Sequence, residues 1–220
     1  MEELNCETAF SIPIAGGIDV SESVAVTWII MAALVLISIL VTRNLKVENP
    51  GKGQLMLETV VASLHKMVSD MVGEHGQRYV PYLMTVLLYI GVANIIGLFG
   101  MKPPTKDLTV TIALAVMSIV LIEAAGIIAK GPKGWIKSFA QPVAIMTPFN
   151  ILEIVIKPLS LCMRLFGNVL GAFVIMELIK QVLPVALPVP FSLYFDIFDG
   201  LIQAYVFVFL TSLFIKEAVE

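Results

Sequence analysis

Residues 154–176 read IVIKPLSLCMRLFGNVLGAFVIM, a run whose only charges are Lys157 and Arg164. At about 1.5 Å per residue, a helix of this length crosses the ~30 Å hydrocarbon layer of a bilayer. The run therefore predicts a membrane helix with a guanidinium inside it. On insertion scales that group costs at least ~2.5 kcal/mol at the bilayer centre, so it needs a partner or a water-filled cavity. Arginine cannot relieve the cost by losing its proton, because its pKa lies above ~12. An intramembrane Arg164 is read as functional on these grounds.

The composition agrees with a polytopic membrane protein. Of the 220 residues, 58% are hydrophobic and only 14% charged, against about 25% charged in soluble domains. A net charge of −3 argues against a nucleic-acid partner. Cys6 and Cys162 lie far apart, so no bridge is expected, and Cys162 reads as a small packed residue. No basic region precedes the first apolar stretch, so neither a signal peptide nor an Arg-rich transit peptide is expected. His65 and His75 form no metal-ligand spacing, and no P-loop, Ser/His/Asp pattern or zinc motif occurs. The chain is expected to have no catalytic site and no cofactor.

Working outward, the sequence predicts an all-α integral membrane protein of about five membrane helices plus one interfacial helix. Residues 1–22 form an acidic external tail, and 23–42 form a first span followed by Arg43, Lys46 and Lys52. Residues 54–75 carry apolar positions at helical spacing, with Glu58, Lys66, Asp70 and Glu74 between them, which predicts an amphipathic helix lying in the interface. Residues 79–101 and 108–129 are the second and third spans. Pro132, Pro142 and Pro148 predict an irregular or re-entrant stretch over 131–149. Two long apolar segments, 150–180 and 191–217, complete the chain, with Pro158 placed to kink the first. Arg43, Lys46, Lys52, Lys66, Arg78, Lys130, Lys133, Lys137 and Lys216 then share one side, against Lys102, Lys106 and Lys180 on the other. The positive-inside rule places the N-terminus outside and the C-terminus in the cytoplasm.

On a helix advancing 100° per residue, Lys157, Arg164, Asn168 and Gly171 fall in one narrow sector. Asp196, Asp199 and Gln203 cluster on one face of the last segment, with Gly200 nearby. A cation on one helix and carboxylates on the next suggest the lining of a polar pathway. Plainer readings stand beside this one. Arg164 is also readable as a structural counter-ion to Glu177, Asp196 or Asp199. Asp196 and Asp199 suit a solvated, dipole-favoured first turn. Gln203 suits an ordinary interhelical hydrogen bond, and Glu123 lies close enough to water or Lys130 to need no special role.

The run from Pro158 through Ser160, Cys162 and Arg164 to Asn168, PLSLCMRLFGN, resembles the signature of subunit a of F-type ATP synthases. LIQAYVF at 201–207 resembles the same family's last-helix motif, and PFNILE at 148–153 and PTKDL at 104–108 also fit. The order of these motifs extends from the first span to the C-terminus. The resemblance implies a non-catalytic membrane stator whose last two helices form a long tilted hairpin against the c-ring, with two aqueous half-channels opening to opposite sides. It implies that Arg164 is the gate between them, and that Asn168, Gln203 and Asp196 line the interface. Ser160, Gly171, Asp199, Glu177 and Glu123 complete the candidate lining of half-channel or ring interface. One departure stands out: the family commonly has Glu or His nine residues after the arginine, where this chain has Phe173, and Glu177 one turn later is the candidate substitute.

The resemblance further implies that H⁺ or Na⁺ is the translocated ion. It also implies that the partners are the c-ring, the peripheral-stalk subunit b, the rest of the complex and the lipid bilayer. The location expected is a bacterial plasma membrane. Two other classes fit parts of the sequence. A secondary transporter would bind solute at Arg164, but no repeated halves are visible. A structural scaffold would tolerate loss of the guanidinium. Neither accounts for the paired motifs.

Overall fold

The computed structural model describes residues 8–12, 18–43, 45–46, 51–99, 103–139, 145, 147–182, 191 and 193–219. Among the described residues five helical stretches are long and apolar enough to cross a membrane: Glu22–Thr42, Glu74–Leu98, Leu108–Ser138, Thr147–Ile179 and Leu193–Val219. The fold is thus an all-α membrane bundle. In hydrocarbon no water satisfies the backbone, so an uncharged run of this length is driven into helix whatever its side-chain propensities.

The helices are α1 (Glu22–Thr42), α2 (Lys52–Val72), α3 (Val80–Ile95), α4 (Leu108–Ser138), α5 (Thr147–Val182) and α6 (Gly200–Val219). A 3₁₀ turn, Glu74–Tyr79, leads into α3, with Pro81 in the first helical turn where its missing N–H is harmless. The end of the expected second span, residues 96–99, winds as 3₁₀ rather than α-helix. Asp107 caps α4: its Oδ1 accepts a 2.9 Å hydrogen bond from the Thr109 backbone N–H, and its charge suits the positive end of the helix.

The expected external tail contains regular structure. Strands β1 (Thr8–Ile12) and β2 (Ile18–Ser21) pair antiparallel, with Phe10 opposite Val20 and Ile12 opposite Ile18. The end of the third span also differs. Helix α4 runs past residue 129 to Ser138, with a sharp kink at Gly131, whose φ of 71° lies in the left-handed region. Pro132 follows, so the chain reverses at a residue that lacks the Cβ penalty and restarts helix at one with a fixed φ. Residues 132–138 are therefore helical rather than irregular. Helix α5 begins at Thr147, three residues before the expected start, because Pro148 occupies the first turn, where proline is tolerated.

Along α2, Val68 and Val72 are buried while Leu55, Met56, Val60 and Val61 are exposed, so only its C-terminal end enters the bundle. The core joins those valines to Val80, Leu83 and Ile90 of α3, Ile122 of α4, Leu161 and Leu165 of α5, and Phe207, Val208 and Ile215 of α6. Helices α3, α4 and α6 form its centre. Within a membrane-length window only 11% of α1 and 17% of α5 are buried, against 39% for the other three spans. The helix carrying Arg164 therefore stands at the edge of the bundle with one side open.

Candidate functional site

Helical periodicity sorts α5 into two faces around Arg164. Leu161, Cys162 and Leu165 point inward and are buried, whereas Ser160, Met163, Arg164, Gly167, Asn168 and Gly171 are exposed. A Cβ built on Gly167 or Gly171 would meet nothing within 4 Å, so the open face is flat beside the arginine. Among the described residues Arg164 makes no hydrogen bond or ion pair, and neither Glu177 nor Asp199 serves as its counter-ion. The guanidinium is presented outward from the chain.

One turn along, Asn168 Nδ2 donates a 2.6 Å hydrogen bond to Gln203 Oε1. Gln203 is only 3% exposed, and its Nε2 has no partner among the described residues. This bond ties α5 to α6 one turn from Arg164, so the two helices that carry the matching motifs meet at their polar residues. Toward the other end of α5, Lys157 pairs with Glu153 at 3.3 Å and with Glu217 of α6 at 3.2 Å. Arg164 thus lies between two α5–α6 ties, one ionic and one an amide pair.

The segment before α6 departs from the expected winding. Leu193–Asp199 forms a π-helix, whose wider i→i+5 turn changes the angle between successive residues. The stripe of Asp196, Asp199 and Gln203 expected at 100° per residue therefore spans two windings, π up to Asp199 and α from Gly200. Asp199 is half-buried, and the side chain of Asp196 lies outside the described residues. The turn ends at Gly200 against Asn94 of α3, whose Nδ2 donates to the Gly200 carbonyl at 3.0 Å. Thr105 Oγ1 in turn donates to Asn94 Oδ1 at 2.8 Å. Asn94 is 4% exposed and Thr105 fully buried, so each buried polar group is met by the other. In the sequence Asn94 is visible only as a carboxamide within the uncharged run 79–101.

The turn Pro104–Lys106, which packs against α1, α3, α4 and α5, thus becomes a node of the bundle. Ser21 Oγ donates to Asp107 Oδ2 at 3.4 Å, and Cys162 Sγ lies 3.6 Å from Thr111 Oγ1. Lys106 Nζ sits 3.3 Å from the centroid of the Phe173 ring. Phe173 is nine residues from Arg164 and so on the opposite face of α5, with half-buried Glu177 one turn further on the same back face. A cation–π contact is worth ~0.5–1 kcal/mol when exposed and ~2 kcal/mol when desolvated. A double-mutant cycle of Lys106→Met and Phe173→Leu, read by unfolding in mixed micelles, should give a coupling of about 1 kcal/mol. Additive effects would show that the ring does not hold the ammonium.

Glu123 has a partner across the kink in α4. Its Oε2 accepts a 2.9 Å hydrogen bond from Trp135 Nε1, beyond the Gly131 kink. Trp135 packs edge-on to Phe139 with ring centroids 4.8 Å apart, and the Phe139 carbonyl accepts from Asn150 Nδ2 at 2.9 Å. Glu123 thereby fixes the α4–α5 connection. Among the described residues no group of His, Cys, Asp and Glu is arranged to hold a metal ion.

Comparison with known proteins bears on the whole chain. The sequence matches the family described as ATP synthase A chain over residues 24–216. It is 37% identical over 206 residues to the ATP synthase subunit a of Moorella thermoacetica, covering 93% of this chain and 94% of that protein. It is 34% identical over 205 residues to ATP synthase subunit a 2 of a Bradyrhizobium strain, covering 93% and 91%. It is 30% identical over 229 residues to a protein of Propionigenium modestum named as ATP synthase subunit a, sodium ion specific, covering 96% and 79%. The chain belongs to the family of ATP synthase subunit a, the multi-pass membrane subunit of that complex with a role in ion translocation.

Proposed function

We propose that this chain is the stator against which a ring of c subunits turns, and that Arg164 is the electrostatic gate between two half-channels. The observation that carries the reading is the outward presentation of Arg164 on the open face of α5, beside flat glycines and the Asn168–Gln203 tie. An ion, H⁺ or Na⁺, enters one half-channel and neutralises a ring carboxylate, which then turns into lipid without carrying a bare charge there. When that carboxylate reaches Arg164, the adjacent cation lowers its pKa by about 1–3 units, and the ion leaves by the other half-channel. The guanidinium stays charged throughout, so it relays no proton and blocks a direct leak. The driving force is about 2.3 kcal/mol per charge per 100 mV.

In this reading Asn168, Ser160 and Gly171 face the ring, Gln203 braces Asn168 from α6, and Asp196, Asp199 and Glu177 serve the half-channels. Glu123 acts through Trp135 on the α4–α5 connection. The basic end, with Arg43, Lys130, Lys133, Lys137 and Lys216, faces the cytoplasm of a bacterial plasma membrane, and the N-terminus lies outside. The exposed faces of α1 and α2 leave room for the membrane segment of the peripheral stalk, subunit b. The test is ATP-driven uptake into inverted vesicles containing the complex, with H⁺ and Na⁺ assayed separately. Uptake of one ion, abolished by carbodiimide modification of the ring carboxylate, is expected. ATP hydrolysis by an intact complex with uptake of neither ion would refute the reading.

A further inference from the structure

The kink at Gly131 folds the end of α4 back on itself. Glu123 and Gly131 are separated by roughly 12 Å of helix at 1.5 Å per residue. Yet Trp135, beyond the kink, reaches Glu123 Oε2 at 2.9 Å. The segment 132–138 must therefore turn back along the span it follows. Its ring edge also lies against Gly126, where a Cβ would come within 3.3 Å of Trp135 Cδ1. Trp135 is thus held inward, against the span it follows.

The same winding sets the outer face. Lys133 and Lys137 are one turn apart and exposed, and Ile136 between them is 65% exposed. Lys130 stands at the kink. No Asp or Glu occurs from residue 124 to residue 152, so this positive charge is not neutralised along the chain. Paired ammonium groups flanking an exposed isoleucine, on a helix folded back toward the bilayer, match a surface with phosphate above and acyl chain below. A water-facing helix would gain nothing from Ile136. An acidic protein partner would meet the lysines but not the tuck toward the span.

We infer that Lys133 and Lys137, with Lys130 and Ile136, form a binding site for the headgroup of an anionic phospholipid, held in register by the Glu123–Trp135 hydrogen bond. The site does not depend on the ion path proposed above, and its test reads lipid rather than transport.

The chain has two tryptophans, so Trp28→Phe leaves Trp135 as the sole reporter. The full chain in nanodiscs is titrated with phosphatidylglycerol or phosphatidylcholine bearing brominated acyl chains, and Trp135 quenching gives their relative affinity. Phosphatidylglycerol should be favoured by roughly five-fold or more, as expected for at least one lysine at an anionic surface, and the preference should shrink with added salt. Lys133→Gln with Lys137→Gln should bring the ratio close to one, while the double Arg variant keeps it. Glu123→Gln should lower it by loosening the tuck. Equal quenching by the two lipids in the chain with native lysines overturns the inference, as does a preference that survives the Gln pair or ignores salt. If that lipid preference is absent and the Gln pair instead loses the soluble subunits of the complex, the surface is a protein contact and the inference fails. Should the Gln pair misfold, the salt dependence and the Arg pair still decide.

Discussion

Replacing Arg164 by Ala should reduce coupled ATP-driven ion uptake by ten- to a thousand-fold while the complex remains assembled. The range is the effect of losing a cation that shifts a carboxylate pKa by about 1–3 units, converted to a change in ion release. Assembly should survive because the side chain points away from the core: Leu161 and Leu165, on the neighbouring faces, supply the burial, and no described residue pairs with the guanidinium. If Arg164 is the proposed barrier between two half-channels, the variant should also pass ions passively. Lys at the same position should restore uptake only in part, because a desolvated ammonium can lose its proton where a guanidinium does not. Uptake in vesicles, with immunoblotting for the assembled complex, checks both halves of the expectation. A purely structural ion pair would give the opposite pattern, with lost assembly and no leak.

The second large effect is expected at Gly200. A Cβ there would lie 2.8 Å from Asn94 Cβ, which real Cβ atoms do not approach, so α3 and α6 must separate. Overpacking of this kind costs about 1–3 kcal/mol. The separation would also break the hydrogen bond from Asn94 Nδ2 to the Gly200 carbonyl, leaving buried polar groups unmet at a further ~1–3 kcal/mol. Gly200→Ala should therefore lower the midpoint of thermal unfolding and the yield of assembled complex. It should also weaken uptake, because Gln203 lies one turn beyond. Asn94→Gly in the same chain removes the opposing Cβ and should recover part of the stability, though not the lost hydrogen bonds. An unchanged midpoint for Gly200→Ala would show that the contact is looser than its geometry implies.

Much of this architecture is legible in the sequence for a simple reason. Runs such as 23–42 and 79–101 are uncharged and long, and hydrocarbon leaves their backbone no alternative to helix. The facing of Arg164 follows from Leu161 and Leu165 flanking it at helical spacing. The tie between Asn168 and Gln203 is visible only as two matching motifs, since nothing local states that residues 35 apart will meet. The π-helical turn at Leu193–Asp199 escapes a reading that assumes 100° per residue.

Other features depend on distant partners. Asn94 looks like an isolated amide until Thr105 and Gly200 are brought beside it. The partner of Glu123 is not visible locally until the Gly131 kink returns Trp135 to it. The hairpin at Thr8–Ile12 and Ile18–Ser21 did have a local signal. Phe10 and Ile12 alternate with polar or small residues, as do Ile18 and Val20, at the period of a strand. An acidic composition hid that alternation.

Disulfide trapping reads whether the open face of α5 around Arg164 meets the ring carboxylates. In a chain with Cys6 and Cys162 replaced by Ser, cysteine is introduced at Gly171, where a Cβ meets nothing within 4 Å, or at Phe173 on the opposite face. Each is paired with cysteines scanned along the ring's outer helix. Rapid cross-links are expected from Gly171→Cys to ring positions within one turn of the carboxylate, with uptake stopped until reductant is added, and none from Phe173→Cys. Cross-links from Phe173→Cys with none from Gly171→Cys would place the ring on the other side of α5 and overturn the proposed role of Arg164.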